Sequence, residues 1–300
     1  MQTGVEMKRF KKVYIEITNI CNLSCSFCPK TRRHLMRNTK EHFLHIIEAV
    51  KPYTDYVYLH LLGEPTLHPE LKTYLEICEE NGLQVNLTTN GTRLKKVQEL
   101  LITSPALRQI NISLHSFEAN EQKIEMKQYI EEILDFVIET TKRSNVICTM
   151  RLWNMDSEKL KAQNKLNAEI MHLIEEKLGL DFDVQQKLLE TQRRGIKLHE
   201  RIYLNKAEKF QWPVMEREVI SEKVFCYGLR DQVGVLVDGT VVPCCLDGEG
   251  HMALGNLFEQ SLEEILESPR SRAIYDGFSN RRAIEALCQR CGYATRYAKK

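Results

Sequence analysis

The 300-residue sequence lacks a charge excess: 42 Lys and Arg face 41 Asp and Glu, for a formal net charge of +1. A protein built to hold nucleic acid or an anionic membrane needs a basic surplus to attract phosphates, so neither partner is expected. Also missing is any apolar run near the roughly 20 residues that a bilayer-spanning helix requires. Met1 to Lys12 is polar and basic with no apolar stretch, which excludes a secretory signal there. No internal repeat or low-complexity tract is present. With 43% hydrophobic and 28% charged residues, a disordered or fibrous chain is excluded. What remains is a cytoplasmic globular protein, long enough for one large domain or two smaller ones.

What the sequence has in quantity is cysteine. Ten in a chain of this kind is high, because disulfides rarely persist in the cytosol. Cys78 and Cys148 lie in apolar-periodic stretches and read as small core residues. The other eight cluster. Three fall in Cys21-Asn-Leu-Ser-Cys25-Ser-Phe-Cys28, and Cys226, Cys244, Cys245, Cys288 and Cys291 follow residue 225. Close spacing on loops suits thiolates converging on a metal or an iron–sulfur cluster.

Along the chain, strands and helices alternate. Strands are expected at 13–17, 56–62, 85–89, 110–114 and 146–153, with a sixth beginning at 182–184. Helices are expected at 41–50, 69–80, 94–102, 124–141 and 160–178. This alternation predicts a parallel sheet with helical crossovers, whose chemistry gathers after the carboxyl ends of the strands. The cysteine loop, Gly63-Glu64-Pro65, Thr89-Asn90-Gly91, Ser113 to Ser116 and Arg151 to Asn154 all lie there. Glu16, inside the first strand, reads as structural. Residues 185–220 break the pattern; Gln186 to Phe210 holds seven Lys/Arg and three Glu, as a solvated connector or a cap meeting an anionic substrate. After residue 225 a β-hairpin is expected around Asp238-Gly239, then short helices at 262–266 and 282–287. The expected division is 1–220, with 185–220 as cap or connector, and 221–300.

Cys21-x3-Cys25-x2-Cys28 after a first strand, with aromatic Phe27 before the last cysteine, resembles the motif of the radical S-adenosylmethionine (radical SAM) enzymes. The resemblance implies a partial (β/α)6 TIM-like barrel within the α/β class. It also implies a [4Fe–4S] cluster on three thiolates, its fourth iron open to SAM, and an adenosyl radical that abstracts substrate hydrogen. An external electron donor such as flavodoxin or ferredoxin is implied as well. Gly63-Glu64-Pro65 is similar to the family's Gly-Gly-Glu-Pro segment for the SAM amino group, with Leu62 at the first glycine. Ser113 and Arg151 fall where the family contacts the SAM carboxylate and ribose. His115 stands where many relatives have a carboxylate, which suggests proton transfer, substrate binding or a merely local hydrogen bond.

The C-terminal stretch resembles the SPASM extension in a shortened, twitch-like form: Cys226, twelve residues, Gly239, four residues, Cys244, then Cys288-x2-Cys291. The resemblance implies a small hairpin-plus-helix domain holding one auxiliary [4Fe–4S] cluster on these four thiolates. Cys245 is left as a buried thiol, as the ligand in place of Cys244, or as a hydrogen-atom donor. The expected activity is oxidation or modification of a peptide or of a small alcohol or sugar-like molecule. With about twelve residues before the first strand, no N-terminal peptide-recognition module is expected. The competing expectation is a SAM-binding iron–sulfur protein whose C-terminal cysteines hold structural zinc and serve partner interaction.

Overall fold

The structure is a computed structural model describing residues 10–116, 125–153, 165–208 and 210–297. In chain order the elements begin with β1 (Lys12–Ile15), α1 (Lys40–Val50), β2 (Tyr56–Tyr58), α2 (Leu71–Glu80), β3 (Gln84–Thr89) and α3 (Leu94–Ile102). Next come β4 (Leu107–Ser113), α4 (Met126–Arg143), β5 (Ile147–Leu152), α5 (Lys165–Leu178), α6 (Val184–Glu190), β6 (Gly195–His199) and β7 (Ile202–Lys206). The C-terminal part supplies β8 (Gln232–Val235), β9 (Thr240–Val242), β10 (Gly255–Asn256), α7 (Leu262–Glu267), α8 (Pro269–Ser279) and α9 (Ala286–Gln289). Among the described residues, no helix is long and apolar enough to cross a membrane.

The chain forms two compact units. One takes residues 1–21, 29–85 and 210–300; the other takes 22–28 and 86–209. In the first, the strands follow the order β10-β9-β8-β1-β2. β8 runs parallel to β1, with Val13 opposite Val233 and Ile15 opposite Val235. That pairing places the C-terminal hairpin in the same unit as β1 and β2. Val13, Ile15, Val57, Val233 and Val235 are fully buried, and Tyr14 on the opposite face of β1 is buried as well, because a parallel strand covered on both faces must be apolar on both. The helices pack through a flat stack of Phe43 on Tyr74, centroids 4.1 Å apart. Burying each such ring is worth about 1.5–3 kcal/mol. Thr39 caps α1 by accepting from the His42 amide at 3.2 Å.

In the second unit the order is β3-β4-β5-β7-β6. β4, β5 and β7 run parallel, and β6 folds back antiparallel on β7. The arrangement is α/β, with parallel pairing around β1 in the first unit and around β5 in the second and antiparallel pairing at an edge of each, in keeping with the expected class. The proposed strand at 182–184 is instead the start of α6. Asp183 accepts from the Gln186 amide at 2.7 Å and caps a helix that the short apolar run could not oppose as a strand. The strand beside β5 is β7, inside the segment read as cap or connector. Asn154, Ile124 and the expected helix start at 160 lie outside the described residues. The helix expected at 282–287 is the shorter α9, and α8, entered through Ser268 and Pro269, is an additional element.

Candidate functional site

In the first unit, β1 runs into Cys21 and β2 into Gly63-Glu64-Pro65. Gly63 has φ +75°, and a Cβ there would stand 2.3 Å from the Thr18 carbonyl oxygen. Only glycine lets the two backbones approach this closely. The Glu64 amide then donates to the Ile20 carbonyl at 2.9 Å, so the loop is fastened to the residue before Cys21. The Glu64 carboxylate is 2% exposed and accepts from the Thr66 amide and hydroxyl at 3.1 and 2.7 Å. Leu62, the departure from the family pattern, is buried; a Cβ on Gly248 would stand 2.7 Å from it, so the side chain occupies space that a glycine neighbour leaves.

The same unit brings the C-terminal cysteines together. Cys226, Cys244, Cys288 and Cys291 interact electrostatically, Cys244 with Cys245 first and then with each of the other three. Burial pushes the Cys226 thiol up to about 11, and burial plus its neighbours pushes Cys244 and Cys288 well above the usual thiol range. Four thiolates in such a place repel one another unless a positively charged group lies among them, which is the environment that a cluster's irons supply. The Cys288 thiol also meets Met252 Sδ at 3.4 Å. Cys245 is held differently. It packs on the apolar group of Tyr14, Leu61, Leu236 and Val242, where its thiol interacts with the Tyr14 hydroxyl as well as with its neighbouring thiols. Among the described residues, no three His, Cys, Asp or Glu side chains stand close enough to ligate a single ion.

In the second unit, the Cys28 amide donates to the Cys25 carbonyl at 3.1 Å, closing a turn between the two cysteines. Asn22 ties this stretch to the loop after β3, accepting from Asn90 Nδ2 at 3.0 Å and donating to Thr92 Oγ1 at 2.9 Å. Phe27 lies 4.8 Å from the His115 ring, and His115 stacks on Trp153 at 6.2 Å. The Arg151 guanidinium lies 4.8 Å over the Trp153 ring. His115 Nδ1 stands 3.1 Å from the Arg151 carbonyl and 3.5 Å from the Trp153 amide, so it donates to the one or accepts from the other according to its tautomer. Ser113 and Arg151 are register partners at the ends of β4 and β5. The second unit thus gathers Phe27, Cys28, Ser113, His115 and Arg151. Trp153, just past the end of β5, was read from the sequence only as part of the span Arg151 to Asn154, with no role of its own.

Comparison with known proteins accords with this arrangement. Residues 15–162 match the Radical SAM superfamily, and residues 226–292 match the SPASM iron–sulfur cluster-binding domain. The chain belongs to the radical SAM superfamily. More particularly, it carries a radical SAM domain, which uses a [4Fe–4S] cluster and SAM, followed by a SPASM domain for auxiliary iron–sulfur binding. The fold is similar to that of BtrN in complex with AdoMet and 2-DOIA (TM-score 0.58, 16% identity, 95% of this chain and 94% of that one). It is also similar to native anSMEcpe with bound AdoMet (TM-score 0.60, 13% identity, 94% and 89%). Among curated proteins, a tungsten-containing aldehyde ferredoxin oxidoreductase cofactor-modifying protein of Pyrococcus furiosus is 31% identical over 88 residues, 28% of this chain and 25% of that protein. A probable GTP 3',8-cyclase of Methanococcus aeolicus is 24% identical over 262 residues, 80% and 86%. The match covers only a quarter of the Pyrococcus protein's length.

Proposed function

We propose that this protein is a cytoplasmic radical SAM dehydrogenase acting on a small alcohol or sugar-like substrate, with electrons exchanged through an acidic carrier such as flavodoxin or ferredoxin. When bound, the cluster and SAM supply the electron and the 5′-deoxyadenosyl radical that abstracts a substrate hydrogen. Cys21, Cys25 and Cys28 hold the first cluster, and Gly63, Glu64 and Pro65 receive the SAM amino group. Ser113 and Arg151 bind its carboxylate and ribose, and Phe27 lies against the cofactor. His115 accepts the hydroxyl proton as the substrate is oxidised.

The observation that carries the oxidative reading is that Cys226, Cys244, Cys288 and Cys291 gather in one unit as buried thiols that act electrostatically on one another. Four thiolates occupy all four irons of one cluster and leave no exchangeable position, which suits electron acceptance better than substrate ligation. Iron and acid-labile sulfide on anaerobically reconstituted protein test this. Two clusters give about eight irons, and Cys291→Ala gives about four. About four irons in the parent, with one zinc, would remove the electron acceptor and restore the partner-binding alternative.

A second reading is supported by the place of Cys245, which interacts with the Tyr14 hydroxyl as well as with the neighbouring C-terminal thiols and is left over once four thiolates hold a cluster. In an epimerised peptide, Cys245 would return a hydrogen atom to the substrate radical. Solvent deuterium in the product, lost in Cys245→Ala, marks this reaction; an oxidised product without deuterium marks the dehydrogenase. For Arg151→Ala we expect SAM affinity at least about tenfold weaker, read by calorimetry, with iron content unchanged. Unchanged affinity would take Arg151 out of the cofactor site.

A further inference from the structure

Glu16 is fully buried, yet it is charged, and neither the cysteine motif nor the SPASM pattern accounts for it. Its carboxylate is shared by three separate chain segments of the first unit. Arg33, on the arm that follows the cysteine loop, donates from Nη2 to both oxygens at 2.8 Å. The Leu62 amide, at the head of Gly63-Glu64-Pro65, donates to Oε1 at 3.3 Å. The Val237 amide, at the end of β8, donates to Oε2 at 3.1 Å. A carboxylate taken wholly out of water is retained only when its lone pairs are met, and here each oxygen meets a different segment.

The neighbouring contacts run the same way. The Glu16 amide donates to the Val235 carbonyl at 2.9 Å, and the Asn38 amide donates to the Ile17 carbonyl at 3.0 Å. Glu249, in the loop after Cys244 and Cys245, accepts from the Arg32 amide at 3.0 Å. Leu62 fills the space beside Gly248 in that loop. Val237 leads through the turn and β9 into Cys244. Displacing the C-terminal hairpin therefore moves the hydrogen bond on one Glu16 oxygen, and the other oxygen carries the loop with Glu64.

We propose that Glu16 is a positioning residue that couples the C-terminal cysteine site to the Gly63-Glu64-Pro65 loop, so that filling the auxiliary site tightens SAM binding. The inference rests on the reading that this loop receives the SAM amino group. Coupling of this kind is a free energy shared by two sites, and it is read as non-additivity in a double-mutant cycle.

The test measures SAM affinity by calorimetry on reconstituted parent, Glu16→Gln, Cys291→Ala and the double variant, each with its iron counted. Glutamine keeps the shape but turns an NH2 group toward Arg33 and one of the two backbone amides, so one oxygen's contacts are lost. In the parent background, Cys291→Ala is expected to weaken SAM binding about tenfold. In the Glu16→Gln background, SAM binding is already weakened about tenfold and Cys291→Ala costs nothing further. A Glu16 with only a structural role would lower the melting temperature and leave the two effects additive, and that overturns the coupling. So does an unchanged SAM affinity in Glu16→Gln carrying both clusters. If Glu16→Gln does not fold, Arg33→Gln enters the same cycle, since Arg33 sits on a loop rather than inside a strand. A loaded parent that binds no SAM would instead defeat the cofactor reading itself.

Discussion

Cys25→Ala abolishes 5′-deoxyadenosine formation while leaving the C-terminal iron in place. The open iron that receives SAM exists only if three thiolates hold the other three irons, and the motif supplies three. Cys25 also sits inside a turn closed by the Cys28 amide on its carbonyl, and that backbone bond survives the substitution. The loop therefore keeps its course while one corner of the cluster is lost. The expected result is about four irons instead of about eight, all of them C-terminal, with adenosyl cleavage under a strong reductant falling to the level of cluster-free protein. The measurement is product chromatography with iron analysis on the same sample. Persistent cleavage with about four irons bound would move the SAM site away from Cys21, Cys25 and Cys28.

The fold and the candidate site were legible to different depths. α3 and the strand at 146–153 were readable because their apolar residues repeat with the period of the element they form. The Cys-x3-Cys-x2-Cys spacing was readable because iron–sulfur clusters are held chiefly by thiolates, and three so closely spaced on one loop have few other uses. α6 was misread because a single capping carboxylate, Asp183, outweighed three residues of strand-like apolarity. α8 carried a signal that was passed over: Ser268 before Pro269 is a helix entry, with proline at the position that needs no amide hydrogen. The pairing of β8 with β1 could not be read at all, since about 220 residues separate Val13 from Val233 and both are simply apolar. Glu16 was hidden for the same reason. Its partners Arg33, Leu62 and Val237 are brought together by tertiary structure, and two of the three contribute only a backbone amide, which has no signature in sequence.

Gly63→Ala is expected to lower SAM affinity at least about 100-fold, and Gly82→Ala is the control that isolates the reason. Both glycines have positive φ, +75° and +68°, so each substitution places a side chain in a left-handed conformation at a cost of about 1–2 kcal/mol. Their surroundings differ. A Cβ on Gly82 meets nothing within 4 Å, whereas a Cβ on Gly63 meets the Thr18 oxygen at 2.3 Å and the Asn19 backbone at 3.0 Å. These are backbone atoms of the stretch leading into Cys21, and no rotamer change can move them aside. Relief requires the Glu64 loop to lift off, breaking the 2.9 Å bond from the Glu64 amide to the Ile20 carbonyl. Gly82→Ala should therefore destabilise the fold by the conformational cost alone and bind SAM like the parent. Gly63→Ala should add a selective loss of SAM binding beyond its loss of stability, with both clusters still assembled. Calorimetry with SAM beside a denaturant melt separates the two effects. Equal affinity in the two variants would mean that close approach of this loop to β1 has no part in holding the cofactor.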